Sequence, residues 1–133
     1  MDELKSKVGT ELDTVVCEVE RGMISRFTQA VGDPNPRWHE SAPPTFVLTI
    51  GIEQVQKLLR ENFPSATLLH GSTELECHQA VRPGDVLTAT IKVSNVRERQ
   101  GKMGKTTFLT LETVYENQRQ ELAASCRQMI ITY

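Results

Sequence analysis

The chain has 133 residues, with 15 Lys and Arg against 17 Asp and Glu, a formal net charge of −2, and a composition that is 38% hydrophobic and 24% charged. That length suffices for a single domain, residues 1–133, whose core needs no metal or disulfide staple. The charge balance offers no basic excess for nucleic acid, and no apolar run reaches the length of a membrane span.

Residues 1–10 are polar, are expected to fray, and lack the apolar stretch of a secretory signal. Cys17, Cys77 and Cys126 are odd in number, far apart, and free of CxxC or HxxxH spacing. They predict buried reduced thiols in a cytoplasmic protein, with no metal and no other cofactor. Leu12 to Val19 reads as a first strand. Arg21 to Val31 reads as a helix with Ile24, Phe27 and Val31 on one stripe, ended by Gly32, which takes positive φ without strain.

The next segment, Gly32-Asp33-Pro34-Asn35-Pro36-Arg37-Trp38-His39-Glu40, cannot be regular structure, because each proline holds its predecessor in extended conformations. A stiff loop presenting Asp33, Asn35 and His39 suits chemistry. It equally suits a helix-ending turn in which Asp and Asn bond to nearby backbone and His39 sits in solvent.

Ala42 to Phe63 predicts one long central helix. Pro43 and Pro44 lead into it, Thr45 serves as N-cap, and Leu48, Ile52, Val55 and Leu59 recur with helical period. Its first half is apolar on nearly every side and its second half carries charge on the outer face, so the first half is expected to be buried. Four strands follow. Leu68 to Val81 ends at Arg82-Pro83-Gly84-Asp85, a type II turn signature. In Val86 to Val96, Leu87, Ala89, Ile91 and Val93 alternate with Thr88, Thr90, Lys92 and Ser94. A basic loop, Arg97 to Lys105, leads to Thr106 to Tyr115, and a polar turn at Glu116 to Gln120 leads to Leu122 to Tyr133. The pattern is α+β: an antiparallel meander wrapped around a central helix.

With Gly32-Asp33-Pro34-Asn35-Pro36, Ala42-Pro43-Pro44-Thr45-Phe46, His70-Gly71 and Arg82-Pro83-Gly84-Asp85 in this order, the chain resembles the MaoC-like hot-dog hydratases and dehydratases, and more closely their fatty-synthase-type dehydratase N-terminal branch. The resemblance runs from about Val19 to the C-terminus and implies a single hot-dog fold. It also implies addition or removal of water across the α,β bond of an acyl thioester on coenzyme A or acyl carrier protein. Asp33 and His39 are then the implied acid–base pair. Backbone N–H groups of Thr45, Phe46 or Val47, at the head of the central helix, would face the thioester oxygen. Asn35, His70 and Gly71 complete the implied substrate-binding set.

Two departures stand out. The hydratase pattern is Asp-x-Asn-Pro-x-His, whereas here Trp38 holds the fifth position after Asp33 and His39 the sixth. That spacing is typical of the branch whose members often serve as non-catalytic halves beside a catalytic sister. Only Glu40 and Ser41 separate His39 from Ala42, where the branch carries a longer cover. Three readings follow: a hydratase using Asp33 and His39; a substrate-binding subunit of a heterodimeric dehydratase; or a hot-dog thioesterase, for which only Glu53, Glu74 and Glu76 stand as stray carboxylates. Strand histidines such as His70 and His78 are more often packing or surface residues than catalysts. Arg97, Arg99, Lys102 and Lys105, with Arg82, could meet carrier phosphates or form an ordinary solvated hairpin tip. An unpaired sheet edge predicts a homodimer or a heterodimer with a sister hot-dog chain.

Overall fold

The alternation over Leu87–Ser94 belongs to the longest strand of the molecule, and the rest of the sheet is built outward from it. A computed structural model of the chain describes residues 2–102 and 104–133, with side chains from Leu4 onward. Met1 and Met103, which fall in the expected frayed start and the expected basic loop, lie outside the described residues. In order come α1 (Asp2–Ser6), β1 (Glu11–Glu18), α2 (Arg21–Val31), two 3-10 turns (Pro36–His39 and Pro44–Thr49), α3 (Ile52–Asn62), β2 (Leu68–Cys77), β3 (Val86–Gly101), β4 (Gly104–Glu116) and β5 (Leu122–Thr132). The five strands form one antiparallel sheet in the order β1-β3-β4-β5-β2.

The pleat sends Leu87, Ala89, Ile91 and Val93 to one face, where all four are buried, and β4 answers with Leu109, Leu111 and Tyr115. Against this inner face the chain lays its central segment. Phe46 and Val47 of the turn Pro44–Thr49, with Ile50 just after it, pack with Leu87, Ala89, Tyr115, Ala123 and Ala124 at one end. Leu59 of α3 packs with Val93, Leu109, Leu111 and Ile130 at the other. Phe46 meets Phe27 of α2 edge-on, with ring centroids 5.8 Å apart, a geometry worth about 0.5–1.5 kcal/mol beyond the area it buries. The arrangement is a hot-dog fold of α+β class.

The central segment is not the single long helix expected over Ala42–Phe63. It runs as a 3-10 turn, straightens at Ile50 (φ −83, ψ 122), reverses hand at Gly51 (φ 93) and only then becomes α3, so Thr45 caps nothing. The cause is local. Glycine costs about 1 kcal/mol inside a helix and nothing at positive φ, so a break is cheapest there. The break turns Ile50 into the core, where 7% of it stays exposed.

Three further expectations are corrected. Asp2–Ser6 is helical rather than frayed, because Leu4, 1% exposed, plugs the open end of the core beside Leu59 and Leu109. A lone apolar residue carries no periodicity to reveal this. β2 does not begin a meander. It ends at Cys77 and pairs with β5 at the far edge, and 78–81 runs on beside the central segment, the Val81 carbonyl accepting from Ala42 N–H at 2.7 Å. The basic loop Arg97–Lys105 is mostly strand: β3 and β4 stay paired out to Gly101 and Gly104. The turn at Arg82–Asp85 is as expected, with Gly84 at φ +93 and Asp85 N–H donating to the Arg82 carbonyl at 3.0 Å.

A Cβ at Gly51 would stand 3.1 Å from Ile91 Cδ1 on a backbone that side chains rarely adopt. Gly51→Ala is therefore expected to destabilise the fold by about 1–3 kcal/mol in urea unfolding, and Ile91→Val is expected to recover only the steric part of that loss.

Candidate functional site

Gly32 ends α2 in the left-handed region, with its N–H bonded to the carbonyls of Thr28 and Gln29, and this throws the following loop back across the helix. Asp33 N–H donates to the Thr28 carbonyl at 2.9 Å. Two successive Asx turns then stiffen the chain: Asp33 Oδ1 accepts from Asn35 N–H at 3.0 Å, and Asn35 Oδ1 accepts from Arg37 N–H at 3.0 Å. The second turn opens the 3-10 turn Pro36–His39.

Trp38, the fifth residue after Asp33, lies within this turn and folds back onto the carboxylate. The indole Nε1–H donates to Asp33 Oδ2 at 2.8 Å. Asp33 thus accepts N–H bonds on both oxygens. Its carboxyl is held below the ordinary aspartate value of 3.8 by the Trp38 bond first, by the Asn35 bond second, and by the charge of Arg37 to a lesser degree. His39 makes no hydrogen bond with Asp33. Its carbonyl accepts from the Arg21 guanidinium, and its imidazole has no hydrogen-bond partner among the described residues.

Two cavities meet at Trp38. The first, about 630 Å³ and open to solvent, lies between α2 and the loop; Arg21, Ser25, Gln29, Asp33, Asn35 and His39 are among its walls. The second, about 380 Å³, lies at the head of the central segment. Its walls include Arg37, Pro43, Pro44 and Val47 on one side and Cys77, His78, Gln79, Ala123 and Ala124 on the other. The far wall is anchored at its base. His78 and Gln79 N–H both donate to the Ala123 carbonyl, at 2.8 and 3.1 Å. Gln79 Nε2 donates to Glu121, whose carboxyl is pushed down to about 2 by donors from Gln79, Arg119 and Asn117 in that order.

The residues expected to bind substrate are dispersed by this geometry. Asp33, Asn35 and His39 share the first cavity, and Val47 reaches the second. Phe46 is 2% exposed in the core, with its N–H taken by the Pro43 carbonyl at 2.9 Å. Thr45 is exposed beside it, on a six-residue 3-10 turn rather than at the start of an α-helix. His70 bonds Thr73 Oγ1 at 2.7 Å and lines a third, smaller cavity of about 170 Å³ with Ile50, Gly51, Ile91 and Ile130. Gly71 sits at a bulge in β2 because a Cβ there would come within 3.1 Å of the Met129 carbonyl.

Arg82 is exposed in its turn. Arg97 stacks 4.8 Å over Phe108, Lys105 pairs with Glu98 at 2.8 Å, and Arg99 and Lys102 are exposed near the hairpin tip. That hairpin opens β4, whereas the second cavity lies by the turn that follows it. Thirteen residues of strand separate the two, about 40 Å. Trp38, Arg37 and His78 were missed as site residues. The signal available was Trp38 itself, the one tryptophan of the chain, standing where the hydratase pattern has histidine.

The family model described as "FAS1-like, dehydratase domain region" matches residues 6–126. A UPF0336 protein of Streptomyces avermitilis is 29% identical over 99 residues, 63% of this chain and 66% of that protein, so the match spans just under two thirds of the relative's length. The ChsH1-ChsH2 complex from Mycobacterium tuberculosis is similar in structure with a TM-score of 0.74 at 17% identity, covering 98% of this chain and 86% of that one. A C-terminally truncated HadBC (3R-hydroxyacyl-ACP dehydratase) complex from the same organism is similar with a TM-score of 0.71 at 20% identity, covering 88% and 90%. These structural likenesses speak for the fold. No helix among the described residues is long and apolar enough to cross a membrane.

Trp38→Phe keeps a ring and removes the N–H donor. The Asp33 carboxyl is then expected to titrate higher, nearer its ordinary value, in an NMR pH titration. Because the folded value is depressed, the stability Asp33 contributes is present above the unfolded pKa and lost as pH falls from there through the lowered folded value; Trp38→Phe should shrink that acid-side loss.

Proposed function

Because the chain belongs to the family of the FAS1-like dehydratase domain region, within the MaoC-like hot-dog superfamily, we propose that it is the acyl-thioester-binding subunit of a two-chain (3R)-hydroxyacyl dehydratase or enoyl hydratase. In this reading it receives acyl-CoA or acyl-ACP and leaves proton transfer to a sister hot-dog chain. The reaction adds hydroxyl at Cβ and a proton at Cα of an enoyl thioester, or reverses this. It needs a carboxylate or imidazole free to hold the water and move its proton.

The observation that carries the proposal is the bond from Trp38 to Asp33. A carboxylate that already accepts two N–H bonds and is depressed below its ordinary range is a poor base. The second cavity remains as an open, largely apolar cleft beside Pro43, Pro44 and Val47, suited to the thioester end of an acyl chain. Pairing with a sister chain is supported by the sheet edge at β2, where Leu68 and Leu69 stay 45% and 43% exposed. It is supported too by two similar structures being complexes of two chains. A second reading, in which this chain is itself catalytic, is favoured by one fact: Asp33 and His39 line the same cavity.

The purified chain is expected to bind crotonyl-CoA in calorimetry and to leave its double bond unhydrated. Hydration by the chain alone that disappears in both Asp33→Asn and His39→Ala would select the second reading. Sedimentation at micromolar concentration is expected to show a dimer, and a strict monomer that also fails to bind a sister chain would remove the two-chain assembly.

A further inference from the structure

The cations of the basic hairpin are engaged or remote from the second cavity. Arg97 covers Phe108, and Lys105 and Lys5 both pair with Glu98 at 2.8 Å. The whole hairpin stands at the far end of β4 from the second cavity. The first cavity is electrostatically mixed, because Arg21 faces it together with the Asp33 carboxylate.

The second cavity differs in sign. Its walls carry Arg37 and His78 and no Asp or Glu, in a chain whose net charge is −2. Arg37 is placed rather than loose. Its backbone N–H is held by Asn35, and its guanidinium lies 5.5 Å from the Trp38 ring centre. Trp38 is in turn fixed by Asp33. No carboxylate pairs with Arg37 within ion-pair distance among the described residues; Asp33 feels its charge but bonds Trp38 and Asn35 instead. A planar guanidinium stacked at the rim of a cavity without anionic walls, its donors unclaimed by acid, is suited to bidentate recognition of phosphate. His78 borders the cavity from the opposite wall, its nearest acid being Glu76 at 3.8 Å.

We propose that Arg37 is the phosphate-recognition residue of this chain, reading the phosphate of a phosphopantetheine thioester whose acyl end enters the cavity beside Val47. The proposal rests on the acyl-thioester reading above. It moves the phosphate contact from the hairpin to the loop that replaced the hydratase motif, so that the same Asx-turn frame that ties up Asp33 also presents the cation.

The test compares three ligands by calorimetry at low ionic strength: crotonyl-pantetheine, crotonyl-phosphopantetheine and crotonyl-CoA. The unmodified chain is expected to prefer the phosphorylated forms by about tenfold. Arg37→Ala should abolish that preference, bringing the phosphorylated forms down to the affinity of crotonyl-pantetheine, and Arg37→Lys should retain part of it. A preference appearing at crotonyl-phosphopantetheine assigns the phosphate shared by carrier protein and coenzyme A; one appearing only at crotonyl-CoA assigns the nucleotide phosphates. The proposal is overturned if Arg37→Ala keeps the full preference, if it weakens all three ligands equally, or if Arg99→Ala with Lys102→Ala removes the preference instead. Failure of the unmodified chain to bind any of the three removes the acyl-thioester reading itself, a result distinct from loss of the phosphate preference alone.

Discussion

The bond from the Trp38 indole to the Asp33 carboxylate ties the local chain to the chemistry the chain can perform. It closes a small frame in which Asp33, Asn35 and the 3-10 turn Pro36–His39 hold one another. An indole N–H donates and never accepts, so it can stabilise a carboxylate but cannot exchange a proton with water as imidazole does. The frame therefore lowers the basicity of Asp33 while making the loop rigid. It also sets the ring of Trp38 as the partition between two cavities, one holding Asp33 and His39 and the other holding the head of the central segment.

The break at Gly51 has an equally direct consequence for electrostatics. A continuous helix from Thr45 would aim a macrodipole at the second cavity. The observed segment gives six residues of 3-10 turn there and starts its eleven-residue α-helix at Ile52, beside the third cavity. What the second cavity holds from this chain is thus the guanidinium of Arg37 at its rim and whatever backbone N–H groups of the turn remain unbonded. This supports the binding role proposed above, as the bond from Trp38 to Asp33 does.

Much of the architecture was legible because it follows from short-range rules. Gly32 as a C-cap, the turn at Pro83-Gly84 and the alternation along β3 each depend on φ preferences or a two-residue period, and each stands as expected. What was not legible depends on tertiary contacts. Leu4 is a single apolar residue in a polar stretch, and only the open end of the core gives it somewhere to go. The break at Gly51 competes with a helical period that continues past it on both sides. The partner of β2 is set by long-range pairing with β5, which no local pattern encodes. At the site, the one-residue slip between Trp38 and His39 was visible, but its reason was not. An extended loop would have turned His39 to the face opposite Trp38. The two Asx turns and the 3-10 turn instead fold the loop back on itself, which brings Trp38 to Asp33.

The distribution of charge over the sheet completes this picture. Along the outer face, Glu112 and Arg127 pair at 2.8 Å, and the charge of Glu74 adds to the hold on Arg127. At the hairpin end, Glu98 binds two lysines. At the β4–β5 turn, Glu121 is surrounded by Gln79, Arg119 and Asn117, and Asp85 by Gln118 and the Arg82 backbone. Carboxylates are thus committed to partners at both ends of the sheet. The segment His78–Val81, pinned by Glu121 through Gln79, forms a cavity wall that brings no carboxylate with it. The far wall of that cleft is fastened through Glu121 and its near wall carries the Arg37 guanidinium over Trp38, a pairing of cation and apolar surface that supports the phosphorylated acyl carrier arm proposed above.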